Sequence, residues 1–291
     1  MRLHLIDGTY ELFRAHYSKR PKRTSPTGQD IKATVGVVGS LLGLLADPDE
    51  DPSHLAVAFD NPIESFRNRM FAGYKDGSEV DPALVAQFDA VEEAVAALGL
   101  TVWSMAEHEA DDALATAAVR FADDVDQVRI LTPDKDLGQV VRGTSIVQVD
   151  RMRDREIDET ALRERRGVAP SAIPDLLALV GDTADGIPGL PGFGEKTAAT
   201  LLAVYGSLAA IPADPDQWEV SVRGAARLAE TLRERREDAE LYRELAVLAT
   251  DVPLEGSIED LAWHGVPKDR FLSWCDANAV DALRTRPSRW A

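Results

Sequence analysis

Three short apolar runs in this chain end in aspartate, and they constrain its fold more than any other feature. Leu3-His4-Leu5-Ile6 runs into Asp7, Val57-Ala58-Phe59 into Asp60, and Val128-Arg129-Ile130-Leu131-Thr132 into Pro133 and Asp134. Short apolar runs without strict alternation are what strands buried on both faces of a parallel sheet look like. Helical spacing separates them, in Tyr10 to Tyr17, in residues 32–46 (Val35, Val38, Leu41, Leu42, Leu45) and in residues 82–98 (Leu84, Phe88, Val91, Val95). Further strands are expected at 101–103 and 145–149. Strand alternating with helix predicts an α/β fold with a mostly parallel sheet. In such sheets ligands gather at the carboxyl ends of the strands, so the three aspartates should meet at one edge.

Glu109-Ala110-Asp111-Asp112 adds a fourth acidic group, at the start of a helical run through Val119. The helix dipole tolerates negative charge in a first turn. It does not account for three carboxylates in four positions, which repel one another unless a hard cation such as Mg²⁺ sits among their oxygens.

The formal charge of −18 over 291 residues excludes a broadly basic nucleic-acid binder. A polyanion would have to be met by local patches. The strongest such patch is the loop Ser18 to Gly28, with Lys19, Arg20, Lys22 and Arg23. A single cysteine, Cys275, excludes an internal disulfide. No run reaches the ~18 apolar residues of a membrane span, so a soluble, cytoplasmic protein is expected. The connection from Asn61 to Pro82 is long for a compact domain, and such connections are usually functional.

From about residue 158 the pattern turns helical, and charged amphipathic helices are expected around 222–248. Gly181 to Gly189 is turn-rich, and Pro191-Gly192-Phe193-Gly194 leads into a helix from Glu195. Glycines before a helix start can expose backbone N–H groups to an anion, or can simply let helices pack.

With these residues in view, the chain resembles the bacterial 5′–3′ exonuclease and flap endonuclease family, which includes the N-terminal nuclease domain of DNA polymerase I. The resemblance runs in order through Asp7-Gly8, Phe66-Arg67, Tyr74-Lys75, Glu109 to Asp112, Asp134-Lys135-Asp136, Gly181 to Gly189 and Gly192-Phe193-Gly194-Glu195-Lys196-Thr197. It implies a PIN-like α/β nuclease core over 1–165 and a helical region over 166–291. The latter would carry a helix–hairpin–helix (H3TH) element at about 175–205.

By the resemblance, Asp7, Asp60, Glu109 and the bridging Asp111 hold a first metal, and Asp134, Asp136 and Asp185 a second. Asp112 and Asp182 match further acids around the same centre. Residues 63–85 match a mobile arch through which a single-stranded 5′ end passes, with Lys75 as its catalytic lysine and Arg67 facing phosphate. Gly189, Gly192, Gly194, Lys196 and Thr197 match the hairpin that grips duplex backbone, with K⁺ held by its carbonyls. The implied cofactors are two Mg²⁺ or Mn²⁺. The implied partner is DNA with 5′ ends, bound by a monomer associated with the nucleoid.

Four departures stand out. Asp76-Gly77-Ser78-Glu79 follows Lys75 where the family has another basic residue. Gly186 replaces an asparagine, Pro133 a glycine, and no polymerase domain follows, as expected of a stand-alone nuclease. Rival readings are a haloacid-dehalogenase-type phosphatase, which needs an aspartate at Leu5, and a non-catalytic or RNA- or hybrid-directed family member. Tyr10, Tyr74 and Phe66 are candidates for stacking on bases.

Overall fold

The computed structural model describes all of residues 1–291. Its sheet comprises β1 (Arg2–Asp7), β2 (His54–Asp60), β3 (Thr101–Met105), β4 (Gln127–Leu131), β5 (Ile146–Asp150) and β6 (Arg155–Ile157). They lie in the order β3-β2-β1-β4-β5-β6, all parallel except β6, which runs antiparallel to β5. Asp7 pairs in register with Ala58, and Asp60 with Met105, so the acidic strand ends are neighbours.

The strands are apolar on both faces, and residue size decides what covers each. Leu55, Val57 and Phe59 of β2 join Ile6 beneath α2 (Lys32–Leu45) and α5 (Phe88–Ala97). Ala56 and Ala58, with Leu3 and Leu5, face α6 (Ala110–Phe121). Ala113, Ala115, Ala117 and Ala118 of α6 belong to that same cluster, and small residues on both sides let helix and sheet approach closely. Between β1 and α2 lies α1 (Gly8–His16), and α3 (Arg67–Met70) and α4 (Pro82–Val85) punctuate the long connection after β2.

The second half packs α7 (Glu159–Arg166), α8 (Ile173–Val180), α9 (Glu195–Tyr205), α10 (Ala225–Glu234) and α11 (Arg236–Ala246). A separate apolar cluster made largely from α8 to α11 holds this region together. α12 (Lys268–Ala277) follows near the end of the chain.

One expectation needs correction, and two features lie outside what the sequence suggested. The helix expected over 82–98 is two, α4 and α5, because Gln87 lies between them with its side-chain oxygen turned to another task. That oxygen accepts the N–H groups of Ala33 and Thr34, both at 3.1 Å, at the open start of α2. Residues 155–157 extend the sheet before the helical half begins. The last part of the helical region expected over 166–291 returns to the first core. Ile258 and Leu261 pack against the α6 face, and Trp263, Phe271, Trp274, Cys275 and Leu283 pack with α2 and α5.

Candidate metal centre

The strand ends and two loops enclose a pocket of about 760 Å³ whose lining includes Asp7, Asp60, Asp111, Asp134, Asp185 and Lys75. Each acid is fixed by the backbone around it. Asp7 closes β1 and caps α1. One oxygen accepts the Tyr10 N–H at 2.8 Å and the other the Thr132 hydroxyl at 2.8 Å. Burial, opposed by the Tyr10 bond and reinforced by Asp60, pushes its pKa up to about 7. Asp60 accepts the Ala110 N–H at 2.7 Å, tying the end of β2 to the start of α6. Burial also raises the pKa of Asp60, against the opposing charge of Lys75. Asp111 is raised well above the ordinary carboxylate range, by burial first and then by Asp134 and Asp7.

Glu109 sits differently. Its carboxylate accepts the hydroxyls of Ser65 at 2.8 Å and Tyr74 at 3.2 Å, and pairs with Lys75 at 3.0 Å. Burial disfavours its charge, but Lys75 and Arg67 outweigh that and hold its pKa below the usual value. Lys75 also meets Asp185 at 2.8 Å. Burial works against the ammonium, yet Glu109 and Asp185 hold its pKa well above the ordinary lysine value. Lys75 is thus the pocket's own internal cation.

A second knot of oxygens comes from Asp136, Asp182 and Asp185, which offer carboxylate atoms all within 4.8 Å of one another. Asp182 pairs with Lys135 at 2.6 Å. Asp136 is buried with one oxygen, Oδ1, lacking any hydrogen-bond partner. Its pKa is raised well above normal by burial, then by Asp134, Asp185 and Asp182. An orphaned buried carboxylate oxygen among like charges fits a hard divalent cation, and an all-oxygen donor set suits Mg²⁺ or Mn²⁺.

Two residues depart from expectation. Asp112 is fully buried and spends both oxygens on protein donors, so no lone pair is directed at a cation. One oxygen accepts Arg67 at 2.7 Å and the Glu109 N–H at 3.0 Å; the other accepts Arg67 at 2.8 Å and the Ala249 N–H at 2.8 Å. Arg67, expected to face phosphate, spends its guanidinium on protein partners in this structure. It is 1% exposed, and its remaining donors reach the carbonyls of Leu245 and Val247, each at 2.8 Å. The pair braces the start of α6 against the end of α11 and the chain that follows it.

Of the aromatic candidates, Tyr10 and Tyr74 both line the pocket. Tyr74 is buried with its hydroxyl on Glu109, and Phe66 lies 4.6 Å beneath Arg67 and against His108, so neither presents a free ring. Phe13 and Tyr17, absent from the sequence-based set, line the pocket along with Tyr10, which their spacing on and just past α1 would have suggested. Lys135, Ser65 and Thr132 were missed as well, since nothing local marks a residue as the partner of a distant carboxylate.

The hairpin glycines separate by surroundings. At Gly189 a Cβ would come within 2.5 Å of the Val180 backbone, so this glycine serves packing against α8. Gly192, at φ +90, has only the Leu228 side chain near. Gly194, at the start of α9, has nothing within 4 Å and is exposed with Lys196. Thr197 is half-buried one residue further on. In the basic loop, Arg20 donates to the Gly36 carbonyl at 2.9 Å and Arg23 to that of Ala279 at 2.8 Å. Lys19 and Lys22 are exposed beside them.

Residues 2–167 match the 5′–3′ exonuclease N-terminal resolvase-like domain, and residues 168–269 the 5′–3′ exonuclease C-terminal SAM fold. The chain belongs to the 5′–3′ exonuclease family. It is 34% identical to the 5′–3′ exonuclease of Aquifex aeolicus, over 89% of this chain and 86% of that one. It is 40% identical to DNA polymerase I of Pseudomonas aeruginosa over 92% of this chain, and spans 29% of that protein. Among solved structures, the bacteriophage T5 flap endonuclease in a pseudo-enzyme–product complex with DNA and metal ions shares the fold. The TM-score is 0.63 at 18% identity, covering 98% of this chain and 95% of that one. No helix of this chain is long and apolar enough to cross a membrane.

Proposed function

We propose that this protein is a structure-specific 5′ nuclease, hydrolysing DNA phosphodiester bonds at 5′ ends or flaps with divalent metal. One observation carries the reading: five carboxylates from separate elements, with Lys75 among them, line a single pocket at the carboxyl edge of the sheet. Family membership and the names of the Aquifex and T5 proteins support it.

Asp7, Asp60, Glu109 and Asp111 would hold one ion, and Asp134, Asp136, Asp182 and Asp185 a second. Two such ions, when bound, lower the pKa of an attacking water and compensate charge on the scissile phosphate. The ammonium of Lys75 would neutralise charge on the pentacovalent phosphate. It must first be released from Glu109 or Asp185, and an incoming phosphate offers it another anion. Tyr10 supplies an aromatic wall for a terminal base. The open backbone at Gly194 to Thr197 and the exposed Lys19 and Lys22 would contact duplex phosphates, with K⁺ at the hairpin carbonyls. The products would carry 5′-phosphates. The protein would act as a monomer at nicked, gapped, overhanging or flapped DNA in replication or repair, in the cytoplasm at the nucleoid.

The test is cleavage of end-labelled flap, nicked and blunt DNA, and of matched RNA and hybrid substrates, with Mg²⁺, Mn²⁺ or chelator. Metal-dependent release of 5′-phosphorylated products supports the reading. Binding without cleavage under every condition refutes it.

A further inference from the structure

Residues 72–80, the central part of the expected arch, line the acidic pocket and share it with Tyr10 and Phe13 of α1 and with Tyr17 just past its end. The strap is held at both ends. At the metal-loop end, the Lys75 N–H donates to the Asp185 carbonyl at 3.0 Å. Beside that bond the Gly73 carbonyl is seated directly against Gly186. A Cβ on Gly186 would lie 2.1 Å from the Gly73 oxygen, a contact no side chain can make, and Gly186 has φ +75. At the other end Asp81 pairs with His16 of α1 at 3.1 Å. Between these ties, the Lys75 carbonyl accepts an N–H from Asn68 at 2.8 Å, and Gly77 abuts the Ile63 side chain.

A strap tied to the Asp185 loop and to α1 is held against the half-open pocket that it lines. The pocket it bounds, about 760 Å³, has the size of an ordinary ligand chamber, roughly 300–1,000 Å³. Taking the nuclease reading as given, we infer that Gly186 is a specificity-determining residue. Its missing side chain lets the strap seat on the Asp185 loop, and the seated strap favours short 5′ ends over long single strands that must pass beneath it. The contact is backbone to backbone, so it cannot be relieved by turning a side chain. Any Cβ at residue 186 must lift the strap or displace Asp185.

Gly186→Asn tests this with a residue that tolerates the left-handed backbone while adding the Cβ. Asp81→Ser tests the other tie independently. Serine can still cap the start of α4, as Asp81 does through the Ala83 N–H, but is too short to hold His16. Cleavage of a long 5′ flap and of a nick is measured side by side. Amide hydrogen exchange of residues 72–77 is followed in each variant. Each substitution is expected to raise the flap-to-nick ratio several-fold and to speed exchange in the strap, whatever the change in overall rate. A protein that cuts nicks with a ratio indifferent to both substitutions overturns this assignment alone. Wild-type protein that cuts neither substrate overturns the nuclease reading, and this assignment with it. Unchanged exchange in Gly186→Asn also overturns it.

Discussion

Arg67 and Asp112, 45 residues apart in sequence, form a buried two-point ion pair at 2.7 and 2.8 Å, the arginine 1% exposed and the aspartate fully buried. The pair sits directly behind the acidic pocket, sharing Glu109 as a neighbour. Its consequence is that one acid of the Glu109 to Asp112 run is spent on stability. Asp112→Ala leaves the buried guanidinium with only Glu109, 3.3 Å away, as counter-charge, and breaking a buried pair from one side costs up to about 3–5 kcal/mol. Denaturant unfolding should therefore show a large fall in stability for Asp112→Ala. An Asp112→Ala protein as stable as wild type would show that the pair braces nothing.

Asp134 should behave in the opposite way. It is surrounded by Asp7, Asp111, Asp136 and Asp185, so removing it relieves repulsion in the metal-free protein. Asp134→Ala is expected to abolish cleavage while leaving the metal-free unfolding midpoint unchanged or higher. In the wild type Mg²⁺ should raise that midpoint, since a ligand that binds only the folded state stabilises it, and the variant should lose most of the increase. Cleavage at the wild-type rate would sink the two-metal assignment.

The contrast between Asp112 and Asp134 marks what the sequence makes legible. Strand ends and carboxylate clusters are local patterns, and Asp7, Asp60, Asp111 and Asp134 could be gathered on one edge from them, while Asp185, in a turn-rich loop, is assigned only through the family resemblance. The direction of the Asp112 side chain could not, because it is decided by Arg67 and Ala249, both distant in sequence. Gln87 ends a helix for the sake of another helix's start, which no helical periodicity reveals. The return of Trp263, Phe271 and Trp274 to the first core is equally silent, since apolar spacing says that a face is buried but not against what.

The hairpin glycines permit separation of binding from folding. Gly194 has open space around it and φ −96, so an aspartate there meets no steric obstacle. Its charge would oppose a phosphate at the start of α9. Gly194→Asp should weaken duplex binding while preserving the unfolding midpoint and the rate at saturating DNA. Gly189→Ala, pressed against the Val180 backbone, should instead destabilise the fold. Equal duplex affinity in Gly194→Asp and wild type would reduce the hairpin to a packing element.

A pH effect is expected at the opposite edge of the sheet. His4 is fully buried with Nε2 2.9 Å from Glu50, and its Nδ1 has no partner. Burial lowers its pKa, against the pull of Glu50. A base whose folded pKa is depressed binds its proton more readily when unfolded. Stability from this group is therefore complete above the ordinary histidine pKa of 6.5 and falls as pH drops below it. Glu50, with its pKa lowered to about 2 mainly by His4, adds a second loss below the ordinary glutamate range. The difference in unfolding free energy between wild type and His4→Gln should shrink as pH falls through that first window, measured with Mg²⁺ present to quiet the acidic pocket. A constant difference would mean that His4 is protonated equally in both states.

The strap itself carries the last expectation. Asp76 and Glu79 are both exposed and line the pocket beside Lys75. A phosphate strand passing them meets like charge at short range, which acts separately from the mechanical seating of Gly73 on Gly186. Asp76→Lys together with Glu79→Arg replaces two anions with two cations and leaves both ties of the strap in place. Flap cleavage should rise relative to nick cleavage, and the gain should disappear as salt is added, because each new phosphate contact releases counterions. Loosening the strap at Gly186 should raise the same ratio without that steep salt dependence. Lys75→Ala, by contrast, should depress every substrate alike, since its place is at the reacting phosphate. A flap-to-nick ratio unmoved by the charge reversal across a salt titration would remove electrostatics from the gate and leave only its mechanical tie.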